Sequence, residues 1–200
     1  GRPVTVWGFD EGYTRAVSKS RENSRFLPGI KIPDEIQWTG DVATALTDVE
    51  EYFSVVPTQF LRDTLGRFEG QLAKLPAISA SKGLELGTLE RPTQILADAS
   101  GASAEVAVLS GPSHAEEVGR GMATTVVVAS PDLALAERAQ TLLGSEVFRV
   151  YTSTDLIGVE LGGALKNIIA VGAGMVDAMG IGDNVKAALV ARGLVEMARF

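Results

Sequence analysis

Lys166 is the residue whose surroundings point most directly to chemistry. It lies in the run Gly158-Val-Glu-Leu-Gly-Gly-Ala-Leu-Lys166-Asn-Ile-Ile, and across residues 156–176 only Lys166 and Glu160 are ionisable. An ammonium among apolar residues is costly, and desolvation lowers a lysine pKa from its reference of ~10.4 toward the range useful for proton transfer. Geometry disfavours Glu160 as a partner on the same helix, because at ~100° per residue the two side chains point about 120° apart. The glycines at 158, 162 and 163 imply that a ligand or another backbone comes close. A second isolated lysine, Lys82 in Ala80-Ser-Lys-Gly83, follows an apolar, strand-like run over residues 75–80. Strand ends are where α/β proteins place functional groups. Two such lysines without a metal-ligand cluster predict an anionic ligand.

Other candidates have commoner structural meanings. In Ser110-Gly-Pro-Ser113-His-Ala-Glu116 the spacing of Ser113 and Glu116 is that of a capping box at a helix start, and Gly111 allows a backbone to approach an anion closely. A cap alone is the usual reading. His114, beside two glutamates, reads as a surface or packing residue. Phe9 and Phe60 taken singly read as core aromatics, yet each falls at or just beyond a strand end, where a flat ring can stack on a nucleotide base.

The elements that must carry these residues alternate. Strand composition recurs over residues 4–9, 52–56, 75–80, 106–109, 124–129 and 148–151, with helix-like segments at 41–49, 59–73, 88–99, 113–119 and 131–143. Strand alternating with helix is the pattern of an α/β layer fold with a mainly parallel sheet. After Tyr151 only helix is expected, over 155–180 and 183–200, separated by Gly180-Ile-Gly-Asp183. This predicts an α/β domain over residues 1–151 and the start of an all-α domain over 152–200. The stretch 21–33 reads as the longest irregular connection, with Pro28-Gly29 as its turn. No Gly-x-Gly-x-x-Gly loop is present, and residues 4–9 followed by Asp10-Glu11 suit the second strand of a dinucleotide-binding unit.

Composition bounds the partners. With 46% hydrophobic and 22% charged residues, the 200-residue chain is that of an ordinary globular protein. A net charge of −7 argues against nucleic acid or an anionic membrane as the main partner. The lack of cysteine removes disulfides and thiolate metal sites and favours a reducing cytoplasm, and one histidine argues against zinc. Residues 156–176 are long and apolar enough to raise a membrane span, but two charges and five glycines speak against it. The first residues lack the basic-then-apolar pattern of a signal peptide.

Taken in order along the chain, Val4-Thr-Val-Trp-Gly, Arg21-Glu-Asn with Phe26-Leu-Pro-Gly29, Val55-Val-Pro-Thr-Gln59, Ser81-Lys-Gly-Leu-Glu85, Leu109-Ser-Gly-Pro-Ser113, Phe148-Arg-Val-Tyr151, Gly158 to Asn167 and Ala191-Arg-Gly-Leu-Val-Glu-Met197 resemble the bacterial type of NAD(P)-dependent glycerol-3-phosphate dehydrogenase. The resemblance implies a Rossmann-like, doubly wound parallel sheet whose first strand and phosphate loop would precede residue 1, and a helical domain that would continue past residue 200. It implies interconversion of sn-glycerol 3-phosphate and dihydroxyacetone phosphate, feeding glycerophospholipid synthesis, with NAD or NADP as cofactor and a homodimer as a compatible assembly. Lys166 would be the proton acceptor for the C2 hydroxyl and Lys82 a second catalytic cation contacting substrate and cofactor. Gly111, Ser113 and Asn167 would line the substrate site, and Phe9, Phe60 and Ala115 would contact the cofactor.

Departures from the family pattern are His114 in place of a phenylalanine and a more polar Glu51-Tyr-Phe-Ser54. The absent phosphate loop implies that this stretch alone binds dinucleotide poorly and is inactive by itself. Phe9 with Asp10 and Glu11 at the expected adenosine ribose favours NADH over NADPH, with Arg15 as the nearest opposing cation. Two other readings remain at this stage. One is a related two-domain hydroxyacid or ketopantoate-type reductase, which explains Gly-Gly-Ala-Leu-Lys-Asn less well. The other is a non-catalytic binding fragment, for which two costly lysines have no use.

Overall fold

A computed structural model describes residues 2–101 and 105–199. The chain runs β1 (Val4–Trp7), α1 (Glu11–Ser20), β2 (Glu22–Asn23), β3 (Leu27–Lys31), β4 (Ile36–Thr39), α2 (Val42–Ala45), β5 (Tyr52–Ser54), α3 (Thr58–Gly66), β6 (Ala77–Ser79), α4 (Pro92–Ser100), β7 (Val106–Ser110), α5 (Ala115–Gly119), β8 (Thr124–Ala129), α6 (Leu133–Leu143), β9 (Phe148–Ser153), α7 (Leu156–Met179) and α8 (Asp183–Met197). The α/β part followed by helices only is as the sequence predicts. The last helix was expected through Phe200, which lies outside the described residues.

Strands β5, β6 and β7 pair in parallel, β7 joins β8 antiparallel, and β8 pairs β9 in parallel. The antiparallel join departs from a wholly parallel sheet. Its cause is the connection after β7: the five-residue α5 packs Gly119 against Ile30 of β3 instead of crossing the sheet, so the chain returns from the end at which it left. β1 pairs in parallel with β4 alone, and β5 with β6 alone, so among the described residues the sheet is interrupted between β1 and β5. Trp7 bridges the interruption, its ring meeting Phe68 edge-on at 5.0 Å.

Both faces of β6 are covered, which is why its residues are apolar or small without alternation. Ile78 joins Ala107, Val126, Val128 and Val150 under Leu135, Ala136 and Ala139 of α6. Ala77 faces the other way, onto Leu61 and Leu65 of α3 and Ile95 and Leu96 of α4. Helices α3 and α4 on one face and α6 on the other make the sheet doubly wound.

Four expectations need correction. Residues 21–33 are not an irregular connection: Arg21 closes α1 in the left-handed conformation at φ 57°, and an antiparallel hairpin β2–β3 follows. The hairpin is held by the Tyr13 hydroxyl donating to Asn23 Oδ1 at 2.6 Å and by Gly29 N–H donating to Glu22 Oε1 at 2.8 Å, partners that two- and five-residue strands do not advertise. Helix α1 was overlooked because only Thr14 and Val17 of its ten residues are buried, too thin a stripe for an apolar period. The helices expected over 41–49 and 59–73 end early, at Ala45 and Gly66, and pass into turns. The Ser113–Glu116 capping box does not form: α5 starts at Ala115 with His114 at the N-cap position and no side-chain cap.

Candidate active site

Lys82, beyond the end of β6, and Lys166, on α7, lie within electrostatic reach of each other. Lys82 sits on the loop that leaves β6, and the first turn of α3 grips this loop. Thr58, 3% exposed, donates from Oγ1 to the Lys82 carbonyl at 2.8 Å. Gln59 donates from Nε2 to the Leu84 carbonyl at 2.7 Å and accepts from Leu86 N–H at 2.9 Å. Ser81 Oγ donates to the Val56 carbonyl. Further out, Arg62 forks onto Glu85 at 2.9 Å and also pairs with Glu90. The Arg62 guanidinium holds the Glu85 carboxyl below its ordinary range, with help from the Thr88 hydroxyl. This clamp is therefore present at neutral pH and weakens as Glu85 is protonated in acid.

Next along the sheet, Gly111 follows β7. A Cβ there would lie 2.8 Å from the Thr125 carbonyl oxygen and 2.9 Å from Val126 Cα, so only glycine lets the chain leave β7 so close to β8. Ser113 is half-buried just beyond it, and Ala115 is exposed at the start of α5.

Helix α7 lies against the same strand end. A Cβ on Gly163 would stand 2.7 Å from Ser110 Oγ, so the bare helix surface there admits the end of β7. One turn earlier, Glu160 is 3% exposed and reaches the first turn of α4. It accepts from Thr93 N–H at 2.8 Å and Thr93 Oγ1 at 2.6 Å, and pairs with Arg91 at 2.7 Å. One turn later comes Lys166. In agreement with the angular argument, Glu160 pairs with Arg91 and not with Lys166.

Lys166 itself is exposed, which corrects the expectation that its apolar run would desolvate it. The reason is that α7 buries only Leu156, Glu160, Gly163 and Val176, and leaves Ile168, Val171 and Met175 more than half exposed. The lysine whose pKa is lowered is Lys82, first by partial burial and then by the positive charge of Lys166. That coupling places the two ammonium groups within electrostatic reach of each other across the strand ends. Two cations so arranged repel until an anion joins them. Asn167, next to Lys166, is exposed.

The predicted aromatic residues follow β1 and β5. Phe9, beyond β1, is 65% exposed, and Phe60, in the first turn of α3, is 64% exposed; neither is a core aromatic. The Arg67 guanidinium lies 4.2 Å from the centre of the Phe9 ring. Arg15, the cation nearest in sequence, is turned to Glu11 at 3.5 Å, and Asp10 caps α1 by accepting from Tyr13 N–H. Sequence reasoning missed Thr58, Gln59, Arg67, Arg91 and Thr93. Only Glu160 carried a visible signal, as a lone acid in an apolar run.

Residues 1–136 match the family profile described as NAD-dependent glycerol-3-phosphate dehydrogenase N-terminus, and residues 155–200 match its C-terminus. The chain belongs to the NAD-dependent glycerol-3-phosphate dehydrogenase family. It is 46% identical over 203 residues to a glycerol-3-phosphate dehydrogenase [NAD(P)+] of Bacillus mycoides, covering 100% of this chain and 60% of that protein. A Pelotomaculum thermopropionicum enzyme of the same name is 45% identical over 206 residues, with 58% of its length covered. The chain thus spans about 60% of the length of these relatives. Among solved structures, glycerol-3-phosphate dehydrogenase from Coxiella burnetii superposes with a TM-score of 0.89 at 32% identity, over 100% of this chain and 61% of that one. The Saccharomyces cerevisiae dehydrogenase does so with 0.87 at 28%, over 98% and 60%.

By length and composition α7 could cross a bilayer. In this family member, however, its buried Glu160 is tied to the α/β part, the setting of a helix packed on protein.

Proposed function

We propose that the protein to which these residues belong interconverts sn-glycerol 3-phosphate and dihydroxyacetone phosphate in the cytoplasm, using NAD(H) or NADP(H). The observation that carries this reading is the convergence of Lys82 and Lys166, distant in sequence, at the carboxyl ends of β6 and β7 in a member of this dehydrogenase family. Residues 1–151 form the cofactor part and 152–200 the start of the substrate part, the division falling near the end of β9.

The exposed rings of Phe9 and Phe60 at strand ends, and the bare backbone at Gly111, fit the flat rings of a dinucleotide; the 200 residues contain no glycine-rich loop to fit its pyrophosphate. Phe9, Phe60 and Ala115 would hold the cofactor, which when bound supplies or accepts the hydride at C2. Lys166 Nζ takes the C2-hydroxyl proton in oxidation and returns it in reduction. Lys82 stabilises negative charge on the reacting oxygen, and Asn167 orients that oxygen. Gly111 and Ser113 shape the wall against which the substrate lies. Dihydroxyacetone phosphate-dependent oxidation of NADH or NADPH by the full gene product is the test; a purified, folded enzyme without either activity ends the proposal.

Lys82→Ala is expected to raise KM for dihydroxyacetone phosphate and lower kcat together, with kcat/KM down ~10- to 100-fold, the worth of charge-assisted hydrogen bonds. Because the Lys82 pKa lies below its ordinary value, the native enzyme should lose substrate affinity as pH rises through that lowered value. Lys82→Arg should move this alkaline limb upward. A profile identical in the arginine variant would remove Lys82 from the site.

Cofactor choice is expected to favour NADH. The cation available to a 2′-phosphate near Phe9 is Arg67 rather than Arg15, so Arg67→Ala should lower kcat/KM for NADPH ~10-fold and leave NADH nearly unchanged. Equal losses with both cofactors would show that Arg67 does not meet the ribose.

A further inference from the structure

We infer that Glu160 is a positioning residue for the reaction: its contact with the first turn of α4 fixes the rotation and height of α7, and so holds Lys166 within reach of Lys82. The inference rests on the dehydrogenase reading above, and it concerns a residue placed in neither the substrate nor the cofactor contacts. Three observations carry it. Glu160 is an acid at 3% exposure in a helix most of whose apolar residues remain open to solvent, so its burial is specific to one contact.

That contact is complete. One carboxylate oxygen takes Thr93 N–H at 2.8 Å, and the other takes Thr93 Oγ1 at 2.6 Å and Arg91 at 2.7 Å. Thr93 N–H is one of the unpaired donors in the first turn of α4, where a negative charge is also favoured by the helix dipole. Moving the carboxylate by an ångström would leave buried polar groups unmatched, so the site accepts only a narrow range of helix positions.

Finally, Glu160, Gly163 and Lys166 follow each other at three-residue spacing, a row that winds about 60° backward around the helix per step. The first is fixed to α4, the second meets Ser110 at the end of β7, and the third lies within electrostatic reach of Lys82. Rotation of α7 about its axis is blocked at two adjacent points, and the lysine is carried by the same rigid row.

The experiment compares Glu160→Gln and Glu160→Asp with the native full gene product by two readouts. Steady-state kinetics should show kcat for dihydroxyacetone phosphate reduction down ~10- to 100-fold, the scale of a misplacement near 1 Å, with NADH affinity by fluorescence titration held within about twofold. NMR titration of 13C-dimethylated lysines should show Lys82 titrating at higher pH in both variants, because Lys166 has moved away from it. Kinetics within twofold of native, an unmoved Lys82 titration, or a parallel loss of NADH affinity overturns the inference. If the native protein does not reduce dihydroxyacetone phosphate, the functional reading fails separately, and the Lys82 titration alone decides the positioning role. Should neither variant accumulate as folded protein, Thr93→Val, which deletes one of the hydrogen bonds, is judged by the same Lys82 shift.

Discussion

Replacement of Lys166 by alanine should lower turnover of the full gene product at least ~100-fold, the low end of what general acid–base catalysis contributes, while NADH affinity stays near native. The side chain is exposed and forms no structural ion pair with Glu160, so the fold should tolerate its loss. Lys166→Arg should be nearly as inactive, because a guanidinium does not give up its proton near neutral pH. A thermal midpoint close to native would confirm that chemistry rather than folding was removed. An alanine variant retaining most of its turnover would assign proton transfer elsewhere, with Lys82 next in line.

The largest expected effect on stability comes from Arg91→Met. It leaves the Glu160 carboxylate, 2% exposed in its side chain, without its cation, and removal of one partner from a buried pair costs about 3 kcal/mol or more. Urea unfolding should show a lower midpoint at unchanged slope. The internal control is Arg2→Met, which breaks an exposed contact with Glu50 and should cost about 1 kcal/mol or less. Equal shifts in the two variants would mean that the Arg91–Glu160 contact is no stronger than a surface pair.

These two effects mark different depths of information in the chain. Lys166 and Lys82 could be singled out because each is a lone cation in a small or apolar neighbourhood, and local composition is what a sequence displays. The β/α alternation was legible for the same reason. Strands β6 to β8 are largely buried, and burial writes continuous apolar runs. Helix α1 and the β2–β3 hairpin were not legible, since they bury few side chains and are held by hydrogen bonds such as Tyr13 to Asn23 that leave no periodic trace.

The sequence by itself determined the α/β order, the change to helix after β9, and the residue types able to bind an anion and move a proton. Tertiary structure decided which of those residues meet. Within these residues it leaves Lys166 exposed despite its apolar run, because desolvation depends on what the fold packs around a group and not on its sequence neighbours. It gave Glu160 to Arg91 and Thr93, and it replaced Arg15 with Arg67 beside Phe9. Charge interactions act over a few ångströms of space, whereas the residues that supply them lie on separate elements; only the packing of α7 on β7 and α4 brings those elements into range.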